Sequence, residues 1–148
     1  MTAKRILLVE DNPADEKLTL RAFKQAGVVN EITVVRDGAE ALDYLFATGV
    51  HAGRDIHDVP TVMLLDLKLP RISGLEVLAR VRSSESVRLM PVVILTTSKE
   101  EEDIARSYEL GANAYVRKPV ELAEFVEATR TLGVFWLLLN EPPPGRVD

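Results

Sequence analysis

Apolar and polar positions follow two different rhythms along this chain. Short runs of consecutive apolar residues are separated by longer segments in which apolar residues recur every three or four positions. Runs without polar alternation are typical of strands buried on both faces, and the wider spacing is typical of helices with one apolar face. The pattern predicts five β/α units, with strands at 5–10, 31–35, 61–67, 91–97 and 114–118 and helices at 13–26, 37–48, 74–82, 98–110 and 120–140. Such alternation predicts a parallel sheet with helices on both faces.

Turn and capping residues support this division. Asn12 followed by Pro13 is typical of a helix start, and Gly27 and Gly111 are typical of helix ends. The segment SKEE at 98–101 predicts a capping box for the fourth helix. The connection at 47–60 is long for an α/β protein and is predicted to be irregular.

Composition limits the classes of partner and compartment. The chain has 148 residues, of which 47% are hydrophobic, and this predicts a single domain, at 1–140. The segment EPPPGRVD at 141–148 is of low complexity and is predicted to be a disordered tail. With 18 basic and 23 acidic residues the net charge is -5, so neither nucleic acid nor an anionic membrane is an expected partner. The absence of cysteine and of any signal or membrane segment in the sequence favours a cytoplasmic location.

Polar residues stand where the predicted strands end. Glu10 and Asp11 end the first strand, Asp66 the third, Thr96 the fourth and Lys118 the fifth. All strands of a parallel sheet end at one edge, where ligands bind, so these groups are expected to converge. Clustered carboxylates require a cation, and Mg²⁺ prefers such oxygen ligands. Asp66 could then act as a nucleophile towards phosphorus, with Lys118 and Thr96 binding phosphoryl oxygens.

Four segments carry a family resemblance: LLVEDN, MLLDLKLPRISGLEVL, PVVILTTS and GANAYVRKP. In this order and spacing they resemble the receiver domain of two-component response regulators, over roughly residues 4–130. The resemblance implies a flavodoxin-like fold with five parallel strands in the order 2-1-3-4-5. It also implies a protein that is not an enzyme in the usual sense but catalyses its own Mg²⁺-dependent phosphorylation and dephosphorylation.

The same resemblance assigns roles to residues. It implies that Asp66 accepts a phosphoryl group from a sensor histidine kinase and that Asp11, Asp66 and the backbone carbonyl of Lys68 bind Mg²⁺. Glu10 would act on the metal through water. Thr96 and Tyr115 match the switch pair, and Lys118 with Pro119 matches the phosphate-binding lysine and its following proline. The segments VEDNPADEKL and FWLLLNEPPP and the long 47–60 connection resemble single-domain regulators that partner phytochrome kinases.

Other functions have less support from the sequence. A phosphatase of the haloacid dehalogenase type needs an acid two positions after the nucleophile, where this chain has Lys68. A flavodoxin-like flavin binder needs a neutral phosphate loop, and EDNPADE would repel phosphate. The remaining alternative is a receiver-like module that binds its partner without phosphorylation. His51 and His57 lie in a polar connection without companion ligands and are predicted to be surface residues.

The predicted last helix has a second apolar region. Its first part is expected to dock on the sheet through Leu122, Phe125, Val126, Thr129 and Leu132. Residues 134–139 are apolar all round, which one buried face cannot accommodate. They either fold back into the core or form a patch for a second copy of the chain. The sequence therefore predicts a homodimer through the C-terminal helix.

Overall fold

The computed structural model describes residues 5–28, 30–97, 100–118 and 121–133. Its strands are β1 (Arg5–Val9), β2 (Glu31–Val35), β3 (Val62–Leu65), β4 (Val92–Thr96) and β5 (Ala114–Arg117). Its α-helices are α1 (Pro13–Gln25), α2 (Gly38–Phe46), α3 (Gly74–Ser83), α4 (Glu101–Glu109) and α5 (Leu122–Gly133). Across these ranges, no helix combines the length and the apolar character needed to cross a membrane.

The five strands form one parallel sheet in the order β2-β1-β3-β4-β5, which confirms the predicted topology. One row of paired residues runs from Val9 through Leu65 and Ile94 to Tyr115. Because β1 ends at Val9 and β3 ends at Leu65, the residues that follow these two strands are neighbours at the edge of the sheet. The sheet register therefore brings together the chain ends on which the predicted site depends.

Alternate residues of the strands face apolar layers on the two sides of the sheet, as the uninterrupted apolar runs in the sequence predict. Leu7, Met63 and Ile94 lie in a core cluster with residues of α2 and α3. Ile6, Leu8 and Val93 face the other side with Phe23 of α1. On that side the rings of Phe23 and Phe125 meet edge to face with centroids 6.5 Å apart, and this contact joins α1 to α5. The predicted docking of the last helix is confirmed for Phe125, Val126 and Thr129, which are all buried.

The start of α1 and the ends of α1 and α4 lie within one residue of their predicted positions, but the start of α4 does not. The Asn12 side chain accepts hydrogen bonds from the amides of Ala14 and Asp15, and Gly27 and Gly111 adopt positive φ angles of 81° and 92° beyond their helices. The predicted capping box at Ser98 is wrong, because α4 begins at Glu101 with Glu100 as its N-cap. Glu100 is extended, with φ -69° and ψ 128°, and an extended residue cannot belong to a helix that starts before it.

The 47–60 connection contains a 3-10 helix (Gly49–His51) and packs against α2. The guanidinium of Arg54 lies 3.8 Å from the centre of the Tyr44 ring and donates to the backbone carbonyls of Tyr44 and Asp58. His51 is half-buried rather than a surface residue, since its ring meets Tyr44 edge-on and its Nε2 lies 3.3 Å from a Glu40 oxygen. His57 is exposed, as predicted.

Several sequence predictions fall outside the described residues. These are the proline after Lys118, the apolar segment at 134–139 and the tail at 141–148. The side chain of Leu132 is not described either.

Candidate functional site

Three acids predicted to converge at one sheet edge do so. Carboxylate oxygens of Glu10, Asp11 and Asp66 all lie within 4.8 Å of one another. The backbone explains their proximity: the Asp66 amide donates to the Val9 carbonyl over 3.1 Å, and the Glu10 amide donates to the Val35 carbonyl over 3.0 Å. Parallel pairing therefore continues one residue past β1 and β3 and places both acids at the same level. Glu10 and Asp66 are buried, whereas Asp11 is exposed.

Lys118 joins this cluster from the end of β5. Its amide donates to the Thr96 carbonyl over 2.7 Å, which fixes the residue where β5 ends. Its Nζ donates to Glu10 Oε1 at 2.7 Å, to Asp15 Oδ2 at 2.8 Å and to Asp66 Oδ2 at 3.2 Å. With 8% of its surface exposed, Lys118 is an ammonium held in the interior by carboxylates.

Asp15 is a member of the site that the sequence reasoning did not identify. It lies in the first turn of α1, three residues after the Asn12 cap. Acids are common at this position because they interact favourably with the helix N-terminus, so the residue type alone does not indicate a site. Its signal in the sequence was its position in a helix that starts directly after the acidic pair at the sheet edge.

Burial and charge oppose each other in the ionisation of the site. Burial raises the pKa of Glu10 to about 7, and the nearby Asp66 carboxylate adds to the increase, while Lys118 counteracts it. Burial lowers the pKa of Lys118, but hydrogen bonds to Asp15 and Glu10 and the charge of Asp66 outweigh burial and raise it above its ordinary value. Lys118 is therefore charged at neutral pH.

The carboxylate of Asp66 is oriented by contacts at both oxygens. Its Oδ1 accepts a hydrogen bond from the Lys68 amide over 3.1 Å, and its Oδ2 accepts one from Lys118. The chain then folds closely around Asp66, because a Cβ atom on Gly74 would lie 2.2 Å from the Asp66 carbonyl oxygen. Only glycine permits α3 to begin at this distance from the end of β3.

The other predicted site residues occupy the expected strands. Thr96 is the fully buried last residue of β4. Ile94 pairs with Tyr115, and residues two apart on a strand share a face, so Thr96 and Tyr115 lie on the same face of the sheet. Tyr115 is half-buried and packs against the core cluster of that face. The side chain of Lys68 is exposed, while its backbone borders Asp66.

The donor set suits a hard divalent cation. Three carboxylates lie within 4.8 Å of one another, and the exposure of Asp11 leaves room for water ligands, which Mg²⁺ retains in most protein sites. Lys118 balances only part of the charge of Glu10, Asp15 and Asp66, so the cluster keeps an excess of negative charge. Both the ligand type and the charge fit the predicted metal.

Comparison with known proteins supports the family resemblance found in the sequence. The sequence matches the response regulator receiver domain family over residues 6–130. A curated relative, the "Probable methanogenesis regulatory protein FilR2" of Methanothrix harundinacea (strain 6Ac), is 41% identical over 138 residues, covering 93% of this chain and 86% of its own length.

Two solved structures are similar over most of the chain. The phosphorylated cyanobacterial phytochrome response regulator RcpA has a TM-score of 0.85 at 39% identity and covers 97% of this chain and 100% of its own. The bacteriophytochrome response regulator RtBRR has a TM-score of 0.79 at 57% identity, covering 97% of this chain and 86% of its own. Together with the parallel sheet and the acidic edge that carries Asp66, these matches show that the chain belongs to the response regulator receiver domain family.

Proposed function

We propose that Asp66 accepts a phosphoryl group from a phosphohistidine of a sensor histidine kinase in a Mg²⁺-dependent reaction, and that this changes a protein-interaction surface. The observation that carries the proposal is the environment of Asp66. Its carboxylate lies between a backbone amide and the Lys118 ammonium, next to Glu10 and Asp11. This arrangement positions a nucleophile beside groups that neutralise phosphoryl charge, and phosphoryl transfer requires little more from a protein.

The proposed transfer uses the residues in simple roles. An oxygen of Asp66 attacks phosphorus, a P–O bond forms as the P–N bond of the donor breaks, and the electrons of that bond leave with the imidazole. Lys118 donates a hydrogen bond to one phosphoryl oxygen, and the hydroxyl of Thr96 donates to another. Both groups reduce the charge repulsion that Asp66 would otherwise meet.

Asp11, Asp66 and the backbone carbonyl of Lys68 are the proposed direct Mg²⁺ ligands, and Glu10 is the proposed ligand through water. The burial of Glu10 and the exposure of Asp11 support this division, because Asp11 borders the solvent from which a hydrated ion would enter. Bound Mg²⁺ would neutralise phosphoryl oxygens and help to align them with Asp66.

The proposed switch follows from the shared face of Thr96 and Tyr115. When Thr96 moves towards the phosphoryl group, Tyr115 turns inward and changes the surface near 98–118. Its half-buried ring at the border of the core supports this role, since a small rotation alters its exposure.

A phytochrome-type kinase is the proposed partner. The support comes from the names of RcpA and RtBRR, the second of which is 57% identical to this chain. We further propose one receiver domain at 1–140 that forms a homodimer through its C-terminal helix. Neither nucleic acid nor a membrane has a role in this proposal.

Incubation with acetyl phosphate and Mg²⁺ tests the central step. Intact-mass measurement should show a gain of about 80 Da, lost in Asp66→Asn and retained in Asp55→Asn, which removes an exposed acid of the 47–60 connection. If the mass of the folded wild-type chain does not change, the alternative of a receiver-like module that binds without phosphorylation is favoured. Transfer from a purified phosphorylated phytochrome kinase then tests the partner.

A further inference from the structure

The donors of Lys118 are fully used. A lysine ammonium has three N–H groups, and among the described residues three carboxylates accept them. The distances to Glu10 (2.7 Å) and Asp15 (2.8 Å) are shorter than the distance to Asp66 (3.2 Å). The ammonium therefore lies closer to Glu10, a proposed member of the Mg²⁺ site, and to Asp15, which has no part in the proposed transfer, than to the proposed phosphoacceptor.

Asp15 reaches Lys118 from a fixed position on α1. Its amide donates to Asn12 Oδ1 over 3.1 Å, and its carbonyl accepts a hydrogen bond from the buried Thr19 hydroxyl over 2.9 Å. These contacts hold the backbone of Asp15 on both sides. Its side chain is 29% exposed, so water can solvate the carboxylate if Lys118 moves away.

We propose that Asp15 is a positioning residue that holds Lys118 towards α1 and thereby slows phosphorylation of Asp66. This inference rests on the proposed function. An incoming phosphoryl group must compete with Asp15 for the ammonium, and its own negative charge is repelled by the Asp15 carboxylate. Loss of the Asp15 charge removes both effects and makes Lys118 available to the phosphoryl group.

The competing explanation is that Asp15 only stabilises the start of α1. Glu16 provides a matched control, because it lies in the same first turn but pairs with Arg36 over 3.0 Å instead of Lys118. Asp15→Asn and Glu16→Gln change the net charge and the helix N-terminus in the same way. Only Asp15→Asn removes a carboxylate from the ammonium.

The kinetic experiment uses the full chain and acetyl phosphate. For the wild type, Asp15→Asn, Asp15→Glu and Glu16→Gln, Mg²⁺ affinity is measured first, and phosphorylation rates are then compared at saturating Mg²⁺. We expect the rate to rise at least about threefold in Asp15→Asn and to stay within about twofold of wild type in Glu16→Gln. Asp15→Glu restores a carboxylate and should return the rate towards the wild-type value.

A second readout requires no metal. With a chelator present, acetic anhydride labelling of Lys118 is quantified by mass spectrometry relative to the exposed Lys68. Labelling of Lys118 should increase about threefold in Asp15→Asn, because a charged acceptor is lost, and should not change in Glu16→Gln. A solely helix-stabilising role would not separate the two variants.

The outcomes distinguish this inference from the proposed function. If the wild-type chain gains no phosphoryl group, the proposed function fails and the inference fails with it. If the wild type is phosphorylated but Asp15→Asn reacts no faster than Glu16→Gln, the inference alone is overturned. Circular dichroism verifies folding, and Asp15→Ser replaces Asp15→Asn with the same criteria if the latter does not fold.

Discussion

Lys118 and Asp66 lie 52 residues apart in the chain, yet Lys118 Nζ donates to Asp66 Oδ2 over 3.2 Å in the protein interior. The parallel topology produces this contact, because β3 and β5 end at the same edge of the sheet and only β4 lies between them. The same ammonium contacts Glu10, so one lysine joins the ends of β1, β3 and β5. Its removal should affect both stability and chemistry.

The first prediction concerns Lys118→Met. This variant leaves buried carboxylates at Glu10 and Asp66 without their cation, and breaking a buried ion pair in this way typically costs about 3–5 kcal/mol of unfolding free energy. Urea unfolding at neutral pH should show a loss of that order. Mg²⁺ or acid should recover part of it, by replacing the cation or protonating the acids. Lys24→Met, in the exposed last turn of α1, should change stability by less than about 0.5 kcal/mol.

The second prediction concerns the pH dependence that Glu10 introduces without metal. The pKa of Glu10 is about 7 in the folded chain, whereas its ordinary value, which the unfolded chain is expected to have, is 4.5. Between these two pH values the folded protein therefore binds more protons than the unfolded one. The stability that protonated Glu10 contributes is present below about pH 4.5 and is lost as pH rises through about 7. In a chelator, the unfolding free energy of the wild type relative to Glu10→Gln should therefore fall across this window. A difference that is flat or rises with pH would contradict the assignment.

The third prediction concerns stabilisation by Mg²⁺. A ligand that binds only the folded chain stabilises it by about 2.7 kcal/mol at one hundred times its dissociation constant. Thermal unfolding should shift upwards with MgCl₂ but not with NaCl of equal ionic strength. Asp11→Asn should lose most of this shift because it removes a proposed direct ligand, while Asp55→Asn should keep it. Equal shifts in both variants would place the ion elsewhere.

The fourth prediction concerns the proposed homodimer. Residues 134–139 are apolar all round, and Trp136→Glu places a charge in that segment. Light scattering at about tens of micromolar should show a dimer for the wild type and a monomer for this variant. A wild-type chain that is monomeric with and without phosphorylation would exclude the dimer.

The sheet and the acidic edge were predictable because they depend on coarse features of the sequence. Buried strands require uninterrupted apolar runs, and parallel strands end at one edge, so Asp66 and Lys118 could be placed without coordinates. Asp15 was missed because the contact depends on the phase of α1 and on the reach of a flexible lysine side chain. The half-buried state of His51 depends on the aromatic ring of Tyr44, which a local reading of a polar connection does not reveal.

The start of α4 shows a different limit to what a sequence motif can predict. SKEE satisfies the rule for a capping box, but Glu100 adopts an extended conformation and the helix begins later. A local motif states which residues can cap a helix, whereas the extended backbone of Glu100 makes that residue the N-cap of α4. Helix boundaries next to a site are therefore less predictable than the strands that carry it.

The final prediction concerns the close approach of Gly74 to Asp66. A methyl group at position 74 would lie 2.2 Å from the Asp66 carbonyl oxygen and 2.6 Å from the Leu67 Cα atom, so Gly74→Ala must displace backbone rather than a side chain. We expect a loss of about 2 kcal/mol in unfolding free energy, which is typical of substitutions that overpack a protein interior. We also expect slower phosphorylation, because the Asp66 carboxylate moves with its backbone. Gly53→Ala is the matched control, since a methyl group there meets nothing within 4 Å.

Urea unfolding and acetyl phosphate kinetics measure the two effects of Gly74→Ala separately. A fall in stability with an unchanged phosphorylation rate would show that the backbone shift does not reach the Asp66 carboxylate. An unchanged stability would mean that the end of β3 can yield to α3 at no cost. Either result would contradict the view that this close contact sets the position of Asp66, which the hydrogen bonds from Lys68 and Lys118 then orient.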